Sequence, residues 1–127
     1  MVASKSKAVK STPLPGHPVR GSKTGQPTMA LLDLLGRRWS LRVLWELREG
    51  RALTFRELQS RSGDVSSSVL NDRLRELREA GIVSRTSDGY QLSGEGMDLL
   101  VALLPLDAWA KRWATRSTGK KTQCLRS

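Results

Sequence analysis

The chain has 127 residues, 38% of them hydrophobic, with one cysteine and a formal net charge of +10. This length suits a single domain with its own core, and the longest apolar run, at 99–106, is far shorter than the about 20 residues of a membrane-spanning helix. The lone Cys124 cannot close an internal disulfide, and the first 26 residues lack the apolar segment of a secretory signal. We therefore expect a cytoplasmic protein without a membrane partner.

Positive charge is concentrated at the two ends of the chain. Residues 1–28 carry five lysines and arginines and residues 111–127 carry six, in both cases without an acid, whereas 29–110 hold eleven arginines and all twelve acids. The pattern predicts a disordered basic N-terminal tail at 1–27, a folded domain at 28–114 and a basic C-terminal tail at 115–127. Such tails either attract DNA phosphates without reading sequence or only aid solubility.

Two helices are predicted at the start of the folded domain. Thr28 can cap a helix from Met29 to Leu35, which Gly36 ends. A second helix is predicted over 39–48, where the buried stripe consists of Leu41, Leu44, Trp45 and the stem of Arg48, widened by Val43 and Leu47. Leu53 is then expected to form a short strand.

The next two helices are predicted to form a helix-turn-helix pair. Thr54 and Glu57 have the spacing of a capping box, and residues 62–64, Ser-Gly-Asp, end the helix that this box begins. Ser66 is a suitable cap for the following helix, which Gly81 ends. In that helix Leu70, Leu74 and Leu77 recur at i, i+4 and i+7, which predicts one buried stripe.

A small hairpin and a last helix complete the domain. Strands are predicted at Ile82–Thr86 and Tyr90–Leu92, joined by Ser87-Asp88-Gly89, because Asp-Gly between two apolar runs is a strong turn signal. Ser93 can cap a helix that begins at Gly94 and is interrupted at Pro105. The predicted fold is therefore mainly α with a small β-hairpin, a winged helix-turn-helix.

The last helix is too apolar to be covered by one small domain. From residue 99 to residue 113 it has hardly any polar face, and a helix that is hydrophobic nearly all round must be buried on more than one side. We expect a homodimer paired through the first and last helices, although the same side chains could fill the domain's own core. The interface residues predicted on this basis are Leu31, Leu35, Leu99, Leu103, Leu106, Trp109 and Trp113.

At this point the sequence resembles the HxlR-type bacterial transcription regulators, a MarR-related branch of the winged-helix proteins. The matching segments are LLDLLGRRWSLRVLWELREG (31–50), LTFRELQ (53–59), VSSSVLNDRLRELREAGIVSRT (65–86) and YQLSGEG (90–96), and Trp109 fits a late tryptophan. The resemblance implies a homodimer that places one recognition helix in each half of a two-fold DNA operator. Three features depart from the family pattern: a short wing with the acidic Asp88, Ser68 where a basic residue is common, and no cysteine ahead of the first helix.

Helical periodicity places the DNA-reading side chains opposite the stripe of leucines. Asn71 could pair with adenine and Arg75 with guanine or a phosphate, while Asp72 either accepts from cytosine or holds a neighbouring arginine. The first turn of this helix suits a phosphate, and arginines near the second helix and on the wing either contact the DNA backbone or are merely solvated. The DNA-binding residues predicted are Ser66, Ser67, Ser68, Asn71, Arg75, Arg85, Arg37 and Arg38.

The sequence holds no set of residues that predicts an enzyme. His17 and Cys124 lie at opposite ends of the chain, and we expect no catalytic residue, metal site or cofactor. Cys124 is either a thiol sensor or incidental. The four tryptophans at 39, 45, 109 and 113 either line a pocket for a flat aromatic effector of unknown identity or pack in the core.

Three functions fit these features. The first, which we favour, is a dimeric regulator that binds a specific double-stranded DNA sequence on the nucleoid. The second is an architectural DNA binder in which the basic tails dominate. The third is a protein-interaction module that has kept the winged helix without operator binding.

Overall fold

In the computed structural model, residues 11–126 are described, with the side chains of 118–126 left aside. Within that range the chain forms five helices and one two-stranded antiparallel sheet. The elements in chain order are α1 (Pro27–Leu35), α2 (Ser40–Glu46), α3 (Phe55–Arg61), α4 (Ser67–Glu79), β1 (Val83–Thr86), β2 (Gly89–Leu92) and α5 (Gly94–Arg126). This order confirms the predicted winged helix-turn-helix.

The centre of the core is the apolar stripe of α4. Leu70, Leu74 and Leu77 are each at most 2% exposed, which confirms the predicted periodicity. They pack with Leu58 of α3 and with Val65 in the turn between the two helices. Because α2 and β1 also contact α4, this helix is held on its buried side by both halves of the domain.

Local capping interactions fix where α3 and α4 begin. Glu57 N donates to Thr54 Oγ1 at 3.1 Å, and Thr54 N donates to Glu57 Oε1 at 2.9 Å, so the predicted capping box is complete. These hydrogen bonds, first that from the Thr54 backbone, lower the pKa of the Glu57 carboxyl. The turn uses Gly63 (φ 83°) and Asp64 (φ 58°), a left-handed pair that a glycine and an aspartate can adopt.

The first two helices differ from their predicted form. The cap of α1 is Gln26, whose side-chain oxygen accepts from Met29 N at 2.9 Å, so Pro27 rather than Met29 is the first helical residue. In α2 the buried apolar residues are Val43 and Leu44, followed by Leu47, whereas Leu41 and Trp45 are exposed. The predicted buried stripe and the observed one both contain Leu44, and they are shifted by one residue along the helix. The apolar periodicity was therefore compatible with either of them.

The wing is a short hairpin. Val83 pairs with Leu92 and Thr86 with Gly89, so the turn is the two residues Ser87 and Asp88 and Gly89 belongs to the strand. Leu53 forms the expected short β contact: its N–H donates to Tyr90 O at 2.8 Å, and Tyr90 N donates back at 2.7 Å. The sheet therefore joins the wing to the segment that leads into α3.

Both predicted tails differ from expectation in the described residues. Residues 11–26 lie against the body: Arg37 donates to Ser11 O at 3.0 Å and Pro13 is buried. At the other end α5 continues through Pro105 to Arg126, because a proline removes one backbone hydrogen bond and the flanking Leu- and Ala-rich turns retain theirs. Residues 1–10, with three of the predicted phosphate-binding lysines, and the Cys124 thiol lie outside what is described.

Among the described residues, no helix combines the length and the hydropathy that crossing a membrane would require.

Candidate nucleic-acid interface

The outward face of α4 carries polar side chains opposite its buried leucines. Ser67, Ser68, Asn71 and Arg75 are all exposed. Ser66 precedes the helix, and its hydroxyl oxygen accepts from Val69 N at 3.3 Å. The structure therefore brings five of the eight predicted DNA-binding residues together on one surface, which we call the α4 face.

The members of the α4 face differ in how firmly they are held. Gln59 of α3 donates to Ser67 Oγ at 3.1 Å and to Val65 O at 2.8 Å, which ties the two helices of the pair together. The side chains of Ser68 and Asn71 form no hydrogen bond with any residue in the described range. Their donors and acceptors are free to meet a ligand.

Arg75 is held in place by acids of its own helix. Its Nη1 lies 3.1 Å from Asp72 Oδ1, and carboxylate oxygens of Glu76 and Glu79 each lie 3.9 Å from other guanidinium nitrogens. Of the two roles expected for Asp72, the structure places it in the second, as the partner of an arginine. The Arg75 side chain stays 44% exposed, so its guanidinium can still be reached from solvent.

The arginines predicted to cluster at the start of the second helix, Arg37, Arg38 and Arg42, are divided in the structure. Arg37 is turned inward, with Nη1 2.7 Å from Glu76 Oε2, so its first role is in the fold. Arg38 is exposed, and its guanidinium lies 5.8 Å from the centre of the Trp39 ring. Arg42 donates to Glu46 at 2.9 Å and to Arg61 O at 2.9 Å. Arg42 is exposed too, but its guanidinium is engaged by these hydrogen bonds, so Arg38 is the member of the cluster without an ion pair among the described residues.

Glu76 was not singled out from the sequence, although it organises this region. It is 1% exposed and lies between Arg37 and Arg73, whose Nε is 3.1 Å from Glu76 Oε1. That N–H is misaligned for a hydrogen bond, so the contact is an ion pair, and Arg73 Nη2 supplies a bond of 3.5 Å to the other oxygen. The sequence did contain a signal for this role of Glu76: the residue directly precedes Leu77 of the leucine stripe, and Arg73 lies three residues before it.

The wing presents one cation and one acid. Arg85 is exposed and lies 5.6 Å over the ring of Tyr90, its partner in the strand register. Asp88 is exposed in the two-residue turn. The tip of the wing is thus electrostatically unsuited to DNA phosphates, whereas its first strand is suited to them.

The predicted interface residues fall into three classes of exposure. Leu35 belongs to the core at 6% exposure, so it is not a surface residue in this chain. Leu31, Leu99 and Leu103 pack half-buried against that core. Leu106, Trp109 and Trp113 are between 45 and 59% exposed, and the two indoles stack with centroids 5.8 Å apart. Val101 and Leu104 of α5 are also exposed.

The tryptophans do not converge as an effector pocket would require. Trp39 lies beside an open cleft of about 410 Å³ together with Leu35, Leu41 and three arginines, whereas Trp109 and Trp113 stack on each other along α5. Trp39 also has a left-handed backbone conformation, φ 77°, which costs a non-glycine residue conformational energy.

In the described part of the chain, no three His, Cys, Asp or Glu side chains group as metal ligands would.

The family model and the related sequences that match this chain are all described as helix-turn-helix proteins. Residues 34–118 match the family model described as HxlR-like helix-turn-helix. The HTH-type transcriptional regulator YvaP of Bacillus subtilis is 29% identical over 89 residues, 65% of this chain and 82% of that protein. An HTH-type transcriptional regulator of Mycobacterium tuberculosis is 32% identical over 110 residues, 81% of this chain and 66% of that protein.

Solved structures agree with the sequence comparison. The quinone-bound YodB of B. subtilis has a TM-score of 0.63 and 29% identity, over 67% of this chain and 96% of YodB. A MarR-family transcriptional regulator of Enterococcus faecalis has a TM-score of 0.63 and 27% identity, over 77% of this chain and 97% of that one.

Proposed function

We propose that this chain, which belongs to the HxlR-like helix-turn-helix family of DNA-binding transcriptional regulators, acts as a homodimer that recognises a specific two-fold operator. The observation that carries the proposal is the α4 face. It presents side chains capable of paired hydrogen bonds on a helix whose other side is anchored in the core. Rigid support of this kind keeps the geometry of base contacts reproducible, and sequence recognition depends on that geometry.

In this proposal the residues of the α4 face have different roles. Asn71 pairs with an adenine edge, and Arg75, oriented by Asp72, pairs with guanine or a phosphate. Ser66, Ser67 and Ser68 contact phosphates and bases at the start of the helix. Arg38 and Arg85 contact the DNA backbone on either side, while Arg37 contributes indirectly, by fixing α4 through Glu76.

The homodimer is supported by the apolar surface of α5. Large apolar side chains that are about half exposed, with stacked indoles among them, would be costly to leave in water. A second copy packed along α5, with Leu31 and Leu32 of α1 at its edge, would cover them. Each α4 face then meets one half-site, and the half-site centres lie about 10–10.5 base pairs, or a multiple, apart.

A mutation on the exposed part of α5 tests the dimer without opening the core. Leu106→Glu should give a folded monomer with weak DNA binding, and the matched variant Leu41→Glu, also about half exposed but on α2, should remain dimeric. Light scattering with circular dichroism measures both. A wild-type protein that is monomeric at micromolar concentration would remove the dimer from the proposal.

Regulation by a small molecule of unknown identity is a second part of the proposal. It is supported by the quinone found on YodB and by the open cleft beside Trp39 in this chain. A simple quinone, added to the protein on its operator, should change the DNA affinity and the tryptophan fluorescence. If neither the DNA affinity nor the fluorescence changes with this or other flat aromatic compounds, the proposal of a small-molecule effector is wrong and the DNA-binding proposal stands.

The base contacts can be tested by comparing specific and random DNA. After an operator has been selected from a random pool, Arg75→Ala should weaken binding to it by about 1–3 kcal/mol, roughly 5- to 150-fold, and bind random duplex much as wild type does. Asn71→Ala should behave likewise at another base position. Arg48→Ala is the matched control, because Arg48 is exposed but stacks on Trp45 at the end of α2.

Each alternative function predicts a different result. Equal losses on operator and random duplex for both variants would mean that the α4 face makes no base contacts, and the architectural reading would replace the regulator. Failure of the wild-type protein to bind any duplex at 50 mM salt would favour the protein-interaction module.

A further inference from the structure

Residues 16–25 form a small hairpin before the first helix. Gly16 N donates to Gly25 O at 3.0 Å, and Val19 and Ser22 exchange two backbone bonds of 2.9 and 3.0 Å across a turn made by Arg20 and Gly21. Gly21 has a φ of 84°, as this tight turn requires. We call this element the N-terminal hairpin. It precedes residue 34, where the match to the family model begins.

The N-terminal hairpin is docked through backbone atoms. Arg20 N donates to Asp33 Oδ2 in α1 at 3.1 Å. Just ahead of the hairpin, the Thr12 hydroxyl donates to Glu79 at the end of α4, and Ser11 O accepts from Arg37. The segment that holds the hairpin therefore lies against the C-terminal end of α4 and the turn before α2, and its attachment does not use the cationic side chains of the hairpin itself.

The cationic side chains of the hairpin are left exposed, and one of them, Arg20, borders the α4 face. Arg20 and Lys23 both extend into solvent, and the described segment 11–26 contains no acid. Arg20 shares an open cleft of about 320 Å³ with three further arginines and three acids, among them Arg75 and Asp72. A cation of the hairpin thus lies beside the residue that we propose to read a base.

We infer that the N-terminal hairpin is a second DNA-binding element, which binds the phosphates bordering the groove occupied by α4. This inference rests on the proposed DNA-binding function and adds a contact surface to it. The charges suit a polyanion: Arg20 and Lys23 are exposed cations in a segment without acids, and Arg20 borders the cleft that also contains Arg75 of the α4 face. The wing tip, with Asp88, cannot serve the phosphates in this way.

Because the docking bond uses the backbone N–H of Arg20, its side chain can be removed without releasing the hairpin. Binding to a random-sequence duplex of about 25 base pairs, followed by fluorescence anisotropy between 50 and 200 mM salt, measures the contact without knowledge of the operator. Arg20→Ala with Lys23→Ala should reduce the slope of log K against log salt by about 1.8 per subunit. The ratio of affinities at 50 and 200 mM should correspondingly fall by about 12-fold per subunit.

Two controls separate a local contact from an effect of net charge. Arg20→Lys with Lys23→Arg keeps both charges and should keep the wild-type slope. The single variants Arg20→Ala and Arg48→Ala each lose one positive charge. Arg20→Ala should reduce the slope by about 0.9 per subunit, whereas Arg48→Ala, in the turn after α2, should leave it unchanged. Slow hydrogen exchange of the backbone amide at position 20 in the double-alanine variant would show that the hairpin is still docked.

The outcomes distinguish this inference from the proposed function. If wild type binds DNA and the docked double-alanine variant has the same salt slope, the hairpin is only a brace for α4 and the inference is wrong, while the regulator proposal stands. If Arg48→Ala changes the slope as much as Arg20→Ala does, the binding reports overall charge and the inference is wrong as well. If wild type binds no duplex at 50 mM salt, the proposed function fails first.

Discussion

Replacement of Glu76 by alanine should destabilise the protein by about 3 kcal/mol. The Glu76 side chain is 2% exposed and lies within ion-pair distance of Arg37 and Arg73, at 2.7 and 3.1 Å. Removing one partner of a buried ion pair costs about 3–5 kcal/mol because it leaves uncompensated charge behind. The lower end applies here, since the two arginines keep 22 and 16% side-chain exposure and can recover part of their hydration.

Urea unfolding measures this loss. With a slope of about 1–3 kcal/mol per molar for a small domain, the midpoint of Glu76→Ala should fall by about 1–3 M. Protein concentration must be equal in all samples, because a dimer gains stability with concentration. Glu76→Gln keeps the shape of the side chain and loses its charge, so its midpoint should lie between those of wild type and Glu76→Ala.

The matched control is an exposed acid–arginine pair of the same helix. Asp72 and Arg75 are 3.1 Å apart, but their side chains are 38 and 44% exposed, so Asp72→Ala should cost at most about 1 kcal/mol. If Glu76→Ala costs no more than Asp72→Ala, the buried ion pairs make no net contribution. The reasoning that they fix α4 to the turn before α2 would then be refuted.

Two further predictions concern the start of α5 and the capping box. Gly96→Ala should destabilise the domain by more than about 2 kcal/mol, because its Cβ would lie 2.1 Å from the backbone oxygen of Ile82. Gly94→Ala, which meets nothing within 4 Å, should be neutral or slightly stabilising, and equal thermal midpoints for the two variants would contradict this account. Because the pKa of Glu57 is lowered in the fold, its contribution to stability should be present near neutral pH and disappear as the pH falls through that lowered pKa. The gap in urea midpoint between wild type and Glu57→Ala should therefore narrow in acid, and a gap independent of pH would count against the capping box as its source.

Local sequence signals were sufficient for the central part of the fold. The Thr54–Glu57 capping box, the Ser66 cap and the spacing of Leu70, Leu74 and Leu77 each act within one or two helical turns. Interactions of this range are written directly in the order of the residues. The family assignment, which depended on motifs in the same region, was confirmed by the match over residues 34–118.

The exposed residues of the α4 face could also be predicted from the sequence. Once the leucine stripe of α4 is known, the opposite face follows from 3.6 residues per turn, so Ser68, Asn71 and Arg75 could be placed on it. What each of them binds could not be read in this way. Their contacts with DNA stay predictions, to be tested by the substitutions proposed above.

Tertiary structure alone decided which charges are used inside the protein. Arg37 and Glu76 are 39 positions apart, and nothing local to either residue indicates that Arg37 is turned inward while Arg38 is exposed. The same holds for residues 11–26. Their polar composition predicted a disordered tail, whereas in the structure they are held by hydrogen bonds with Asp33, Arg37 and Glu79, three residues that only the fold brings near them. Ion pairs and hydrogen bonds between distant segments depend on where the core places each backbone, and sequence periodicity carries no information about that placement.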